Sequence, residues 1–164
     1  MYNGHAIIQT QNGLCREAYI ASGIVGYDAA GKADRIWEDG LIRNIGQQAP
    51  GVVIINGCVG MADPMKAIFM TRGTHLYMSW HRSITVGVSK LAGRKLIDDL
   101  LSGLTIQSAI DRANADPAIV GWNDSPLGLG DGTCQPLRLE AVTIDGNLNQ
   151  TIYKLLGLRG PGNP

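Results

Sequence analysis

Apolar positions along the chain fall into two rhythms. Residues 6–10 (AIIQT) and 18–25 (EAYIASGI) read as two short strands or a hairpin around the turn signal Asn12-Gly13. Asp28–Gly31 reads as a loop. Lys32–Ile45 fits a helix with Ile36, Gly40, Leu41 and Ile42 on one side, stopped by Gly46 and Pro50. Val52–Ile55 is a continuous β-branched run, the pattern of a strand buried on both faces. Asp63-Pro64 then marks a helix start, and the predicted helix runs from Pro64 to Thr71 and stops at Gly73. Residues 74–80 (THLYMSW) read as a second core strand.

Two helices are expected next. One covers about 88–101, with Leu91, Lys95, Ile97, Leu100 and Leu101 on its stripe. The other starts from the cap Thr105 and sets Ile106, Ala109, Ile110 and Ala113 on one face. An irregular stretch over 115–135 follows, then an alternating strand over 137–144, a turn at Asp145-Gly146, and a closing strand or short helix within Leu148–Leu156. Strands alternating with helices predict a layered α/β domain with parallel strands. One such domain over 1–159, with a floppy tail over 160–164, accounts for the whole length.

Composition narrows the functional classes. Fourteen basic and fourteen acidic residues cancel, so no excess charge is available to neutralise nucleic-acid phosphates. No apolar run reaches the roughly 18–20 residues needed to cross a bilayer, and Met1–Gly4 does not open a secretory signal. Nucleic-acid and membrane partners are therefore not expected. The cysteines at 15, 58 and 134 are too widely spaced for a disulfide framework or a zinc knuckle. Reduced thiols fit a cytoplasmic protein.

Candidate chemistry centres on Cys58. In parallel sheets the reactive groups gather in loops past the carboxyl ends of strands. Val52–Ile55 runs directly into Asn56-Gly57-Cys58-Val59-Gly60, and a helix start follows at Asp63. Small neighbours permit a tight open turn, and a helix N-terminus favours thiolate. The competing reading is a buried structural cysteine. A cysteine nucleophile needs a base, and the histidines are His5, His75 and His81. His75 falls inside a predicted core strand, His81 just after its end, and His5 just before the first strand-like segment.

Several motifs together resemble the caspase-fold cysteine peptidases. Their signature has a cysteine followed by x-Gly, with its histidine about 50 residues upstream. Cys58-Val59-Gly60 and His5 match that arrangement, and Gly4-His5-Ala6 is similar to the family's Gly-His-Gly. Tyr77-Met78-Ser79-Trp80-His81-Arg82 resembles the Ser-Trp-Arg strand end that lines the caspase cleft. Leu100-Leu101-Ser102-Gly103, with Ala109 and Ala113 beyond, is similar to the helix pair of CHAT-type and gingipain-like members. Leu129-Gly130-Asp131, with Pro136-Leu137-Arg138-Leu139 after it, looks like their closing segment with an insertion.

The resemblance implies a caspase-like three-layer sandwich with a mostly parallel sheet. It begins late in the family pattern, so the sequence is expected to be the C-terminal part of a longer or processed protein, to have its first strands supplied by another chain, or to form a reduced sheet that lacks them. It further implies a peptide or protein substrate, Cys58 as nucleophile, His5 as proton carrier, and an oxyanion site from backbone near Ala6 and Cys58. Ser79, Trp80 and Arg82 would bind substrate, and no cofactor is implied. Ala6 stands where the family has glycine.

Two other readings compete. A sheet without its first strands leaves an open edge at Val52–Ile55, which favours a non-catalytic caspase-like module that self-assembles into an oligomer or filament. Alternatively, Cys58 with His81 as base would serve a small-molecule α/β enzyme. The glycines at 128–132 lack the residues of a phosphate loop or dinucleotide fingerprint. His75 and His81 have no close carboxylate or thiol at ligand spacing, so no metal is expected.

Overall fold

A computed structural model describes residues 2–9, 15–27, 30, 33–37, 51–57, 60–61, 63–81, 84, 86–120 and 137–161, the segments before residue 38 through their strand pairing. Cys58, Arg82, Cys134, Asn12-Gly13 and the glycine-rich stretch over 128–132 lie outside the described residues.

The first segment is an antiparallel sheet ordered β1-β2-β3: β1 (Tyr2–Gln9), β2 (Cys15–Tyr27) and β3 (Ala33–Trp37). β1 and β2 are the expected hairpin, with β1 starting earlier and β2 longer at both ends. Their register slips between Gly4 and His5. His5 thus sits within β1, opposite Tyr19, rather than just before the strand. β3 is a correction, because a helix is expected over Lys32–Ile45. Ala33–Trp37 instead pairs with Gly23–Tyr27, the second half of the long β2. A ready row of backbone donors and acceptors overrides weak helical patterning there.

The second sheet is ordered β4-β5-β6: β4 (Val52–Ile55), β5 (Leu76–Trp80) and β6 (Leu139–Thr143). β4 and β5 run parallel, joined through helix α1 (Asp63–Met70). β6 runs antiparallel to β5, so the expectation of a mostly parallel sheet is corrected: β4–β5 is the parallel pairing among the described strands. The reason lies at the entry to β6. His81, just past β5, donates its backbone N–H to the Arg138 carbonyl at 3.1 Å. The chain therefore enters β6 at the carboxyl end of β5 and runs back along it. Alternating strands and helices do not encode that direction.

Strand alternation in β5 builds a core on each face of this sheet. Leu76, Met78 and Trp80 pack toward helices α2 (Val86–Leu101) and α3 (Ile106–Ala115), and Tyr77 packs toward Met65, Ile68 and Phe69 of α1. The Phe69 and Tyr77 rings stack with centroids 5.7 Å apart. β5 is wholly buried, whereas Val52, Val53 and Ile54 of β4 are only half-buried. Burial on both faces, expected for β4, belongs to β5. Among the described residues β4 is the outer strand.

The face of α2 also differs from expectation. Val88, Ala92, Leu96 and Leu100 are buried, while Leu91, Ile97 and Leu101 are exposed. Only Leu100 of the expected stripe faces the core. The i, i+4 series containing the small Ala92 lets the helix approach the sheet closely. α3 matches closely: Ile106, Ala109, Ile110 and Ala113 are buried, and the Thr105 side chain accepts from the Ser108 N–H at 3.1 Å. Ion pairs Lys95–Asp116 and Arg112–Asp99 (2.9 Å) link α2 to α3 and its end. α4 (Pro117–Val120) follows.

After β6 the chain turns at Asp145-Gly146, where Gly146 has φ 70°. The last element is a helix, α5 (Ile152–Leu155), capped by Thr151. Asp145 organises the turn. Its carboxylate accepts from the Asn147 N–H at 3.0 Å and from the Gln150 amide at 2.9 Å, and these bonds hold its pKa below the usual carboxylate value. A lowered folded pKa adds stability above the unfolded value of about 4 and loses it as pH falls through the folded value. Asp145→Asn is therefore expected to be less stable than wild type at pH 7. The gap should close in acid, and a gap independent of pH in denaturation curves would refute this.

Candidate active site

The carboxyl ends of β4 and β5 carry the residues around Cys58. Ile55 ends β4 beside Ser79. The Ser79 hydroxyl, fully buried, donates to the Ile55 carbonyl at 2.6 Å. On the far side of Cys58, the Met61 N–H donates to the Trp80 carbonyl at 3.1 Å, and the Tyr77 hydroxyl donates to the Gly60 carbonyl. Burial pushes the Tyr77 phenol well above its ordinary range, so it remains a neutral donor. Tyr77, Ser79 and Trp80 of one strand therefore hold both flanks of the turn.

Gly60 sits against this strand. A Cβ there would come within 2.9 Å of the Ile55 Cγ2 and closer still to the Ser79 hydroxyl. Only glycine lets the backbone pass so near.

The expected site residues fall in different places. Ser79 and Trp80 are 0% and 1% exposed. Their side chains serve the turn: Ser79 bonds Ile55, and the Trp80 indole N–H donates to Asn56 Oδ1 at 2.9 Å. Both side chains are buried and bonded to the flanks of the turn. His5 and Ala6 lie on β1, opposite Tyr19 and Ala18 of β2. Cys58 and Arg82 lie outside the described residues. Cys15 opens β2 opposite Gln9.

His75 and His81 flank β5 at opposite ends. His75 is exposed just before the strand, not within it, and donates its backbone N–H to Gly51 at 2.8 Å. His81 is half-buried at the carboxyl end, where its Nδ1 lies 3.1 Å from the Arg138 N–H and 3.0 Å from the Arg138 carbonyl. Either tautomer of the ring is served: Nδ1 accepts from the amide, or a protonated Nδ1 donates to the carbonyl. At the start of α1, Asp63 pairs with Lys66 at 2.7 Å, which holds its carboxyl below the ordinary range.

The sequence pattern assigns no role here to the side chains of Asn56, Tyr77 or Ser89. Asn56 carried a usable signal, because asparagine just after a strand commonly bonds nearby backbone. Tyr77 and Ser89 carried none, since their partners lie 17 and 33 residues away in the chain. Among the described residues, no group of three His, Cys, Asp or Glu could hold a metal ion, and no helix is long and apolar enough to cross a membrane. Comparisons with family models, curated proteins and solved structures find nothing that matches this chain.

Proposed function

We propose that the chain is a caspase-like cysteine peptidase that hydrolyses peptide bonds, with Cys58 as nucleophile and His5 as proton carrier. The observation that supports this best is the braced turn. Its flanks are tied to Tyr77, Ser79 and Trp80 of β5, and the glycine of Cys58-Val59-Gly60 is demanded by the space beside Ser79. Flanks fixed on both sides of a cysteine past a strand end suit a nucleophile whose approach angle must be reproducible.

In this reading the Cys58 thiolate attacks the scissile carbonyl carbon. Backbone N–H groups near Ala6 and at Cys58 receive the developing oxyanion. His5 passes a proton to the leaving amine as the C–N bond breaks, leaving a thioester. Water then attacks the thioester, giving the acid and the free thiol. Ser79 and Trp80 act as supports for the turn, and Arg82 remains a candidate for substrate binding.

His81 is the second candidate for the base, which would make the protein a small-molecule thiol enzyme. It follows Trp80, whose carbonyl bonds Met61, and backbone contacts occupy its Nδ1, leaving Nε2 as the other ring nitrogen. The self-assembly reading draws on β4 as the outer strand among the described residues. Mass measurement in solution tests it, and a strict monomer opposes it.

Alkylation by an iodoacetamide probe across pH, followed residue by residue, tests the enzymatic reading. At pH 7 Cys58 is expected to react about tenfold faster than Cys15 and Cys134, the effect of a thiol pKa lowered by about one unit. His5→Ala should remove that advantage, and peptide hydrolysis with it. Loss on His81→Ala instead favours the small-molecule enzyme. Equal rates at the three cysteines reject both.

A further inference from the structure

We propose that Asn56 is a positioning residue for Cys58, acting through the turn that joins them. The proposal rests on the reading of Cys58 as a nucleophile. Asn56 is the first residue after β4 and lies two positions before the thiol. It is exposed, yet its side chain is engaged at both ends. Oδ1 accepts from the Trp80 indole N–H at 2.9 Å, and Nδ2 donates to the Ser89 carbonyl of α2 at 2.7 Å. Its main-chain carbonyl accepts from the Ser89 hydroxyl at 3.0 Å. One residue of the turn is thereby tied to β5 and to α2 together.

The chemistry of this bridge is specific to a carboxamide. An indole N–H only donates and a peptide carbonyl only accepts, so the linking group must accept at one end and donate at the other. An aspartate would oppose the Ser89 carbonyl with a second acceptor, and a leucine would offer neither contact. The same pairing settles the orientation of the amide.

Gly93 provides an independent observation. It lies inside α2, where glycine is less favourable than alanine. A Cβ at Gly93 would fall inside contact distance of Asn56 Nδ2, and the three heavy atoms nearest to it all belong to the Asn56 side chain. The glycine leaves room for this amide.

Trp80 completes the arrangement. Its indole holds Asn56 before Cys58, and its carbonyl holds Met61 after it. Asn56 is neutral, so it acts on the thiol through geometry and not through charge. Loosening its amide frees the leading flank of the turn while the Met61 bond persists.

The test follows alkylation of Cys58 by iodoacetamide across pH in the full chain, for wild type, Asn56→Ala and Gly93→Ala. Exchange of the Trp80 indole proton with solvent is read in parallel by NMR, with the resonance assigned by Trp80→Phe. Gly93→Ala improves helix propensity, so it keeps the test decisive if Asn56→Ala fails to fold. Both variants are expected to react about fivefold to tenfold more slowly at Cys58, a change comparable to the net worth of a single hydrogen bond, and to exchange the indole proton faster. Ser89→Ala, which removes one link of three, should give a smaller change in the same direction. Profiles that overlay wild type despite faster indole exchange would overturn the positioning role and leave the nucleophile reading intact. A wild-type Cys58 no more reactive than Cys15 and Cys134 would overturn both.

Discussion

Trp80→Ala is expected to destabilise the fold by about 3–5 kcal/mol, the range for truncating a large buried aromatic residue. Trp80 is 1% exposed and ends the face of β5 that meets α2 and α3. Its removal opens a cavity in the core cluster that also holds Ile84, Val88 and Leu139, and takes away the indole bond to Asn56. A domain of this size has about 5–15 kcal/mol in total, so the variant should be largely unfolded in moderate urea. Trp80→Phe keeps most of the volume and loses mainly the hydrogen bond, and it should cost about 1 kcal/mol. Urea denaturation measures both. A cost below about 1 kcal/mol for the alanine variant would contradict the burial of this side chain.

Gly60→Ala should cost about 1–3 kcal/mol, the range for overpacking a filled site. The φ angle of Gly60 lies outside the left-handed region, so the penalty comes from contact and not from backbone strain. The new methyl meets the Ser79 hydroxyl and the Ile55 side chain, both held in the sheet. Relief requires the turn to lift away from β5, weakening the Tyr77–Gly60 bond. Cys58 alkylation should slow in the same variant. Ser79→Gly empties the space opposite, so the double variant should recover part of the loss, with a coupling of about 0.5–3 kcal/mol in a double-mutant cycle. Strict additivity would show that the two residues do not touch.

Both predictions concern β5, and its importance was only half legible. THLYMSW reads as a core strand because it is apolar and β-prone. Nothing local says that it would be the central strand while the more uniformly apolar Val52–Ile55 would lie outermost among the described residues. That ranking depends on β6, which reaches the sheet from more than 50 residues away. The candidate site divides similarly. Cys58 and Gly60 stand out because a small-residue turn follows a strand, but the Asn56–Ser89 bridge spans 33 residues and leaves no local pattern.

Elements with their signals in adjacent residues were readable directly. The capping threonine and 3.6-residue period of α3, the β-branched run of β4, the β1–β2 hairpin and the Asp145-Gly146 turn all belong to this group. Backbone stereochemistry and short-range hydrogen bonding suffice to specify them. Long-range contact set the rest: Ala33–Trp37 became a strand on β2, β6 reversed along β5, and α2 turned its Val88–Leu100 face inward. In each case burial and hydrogen-bond demand came from a partner distant along the chain, and those energies exceed the few tenths of a kcal/mol per residue by which local propensities differ.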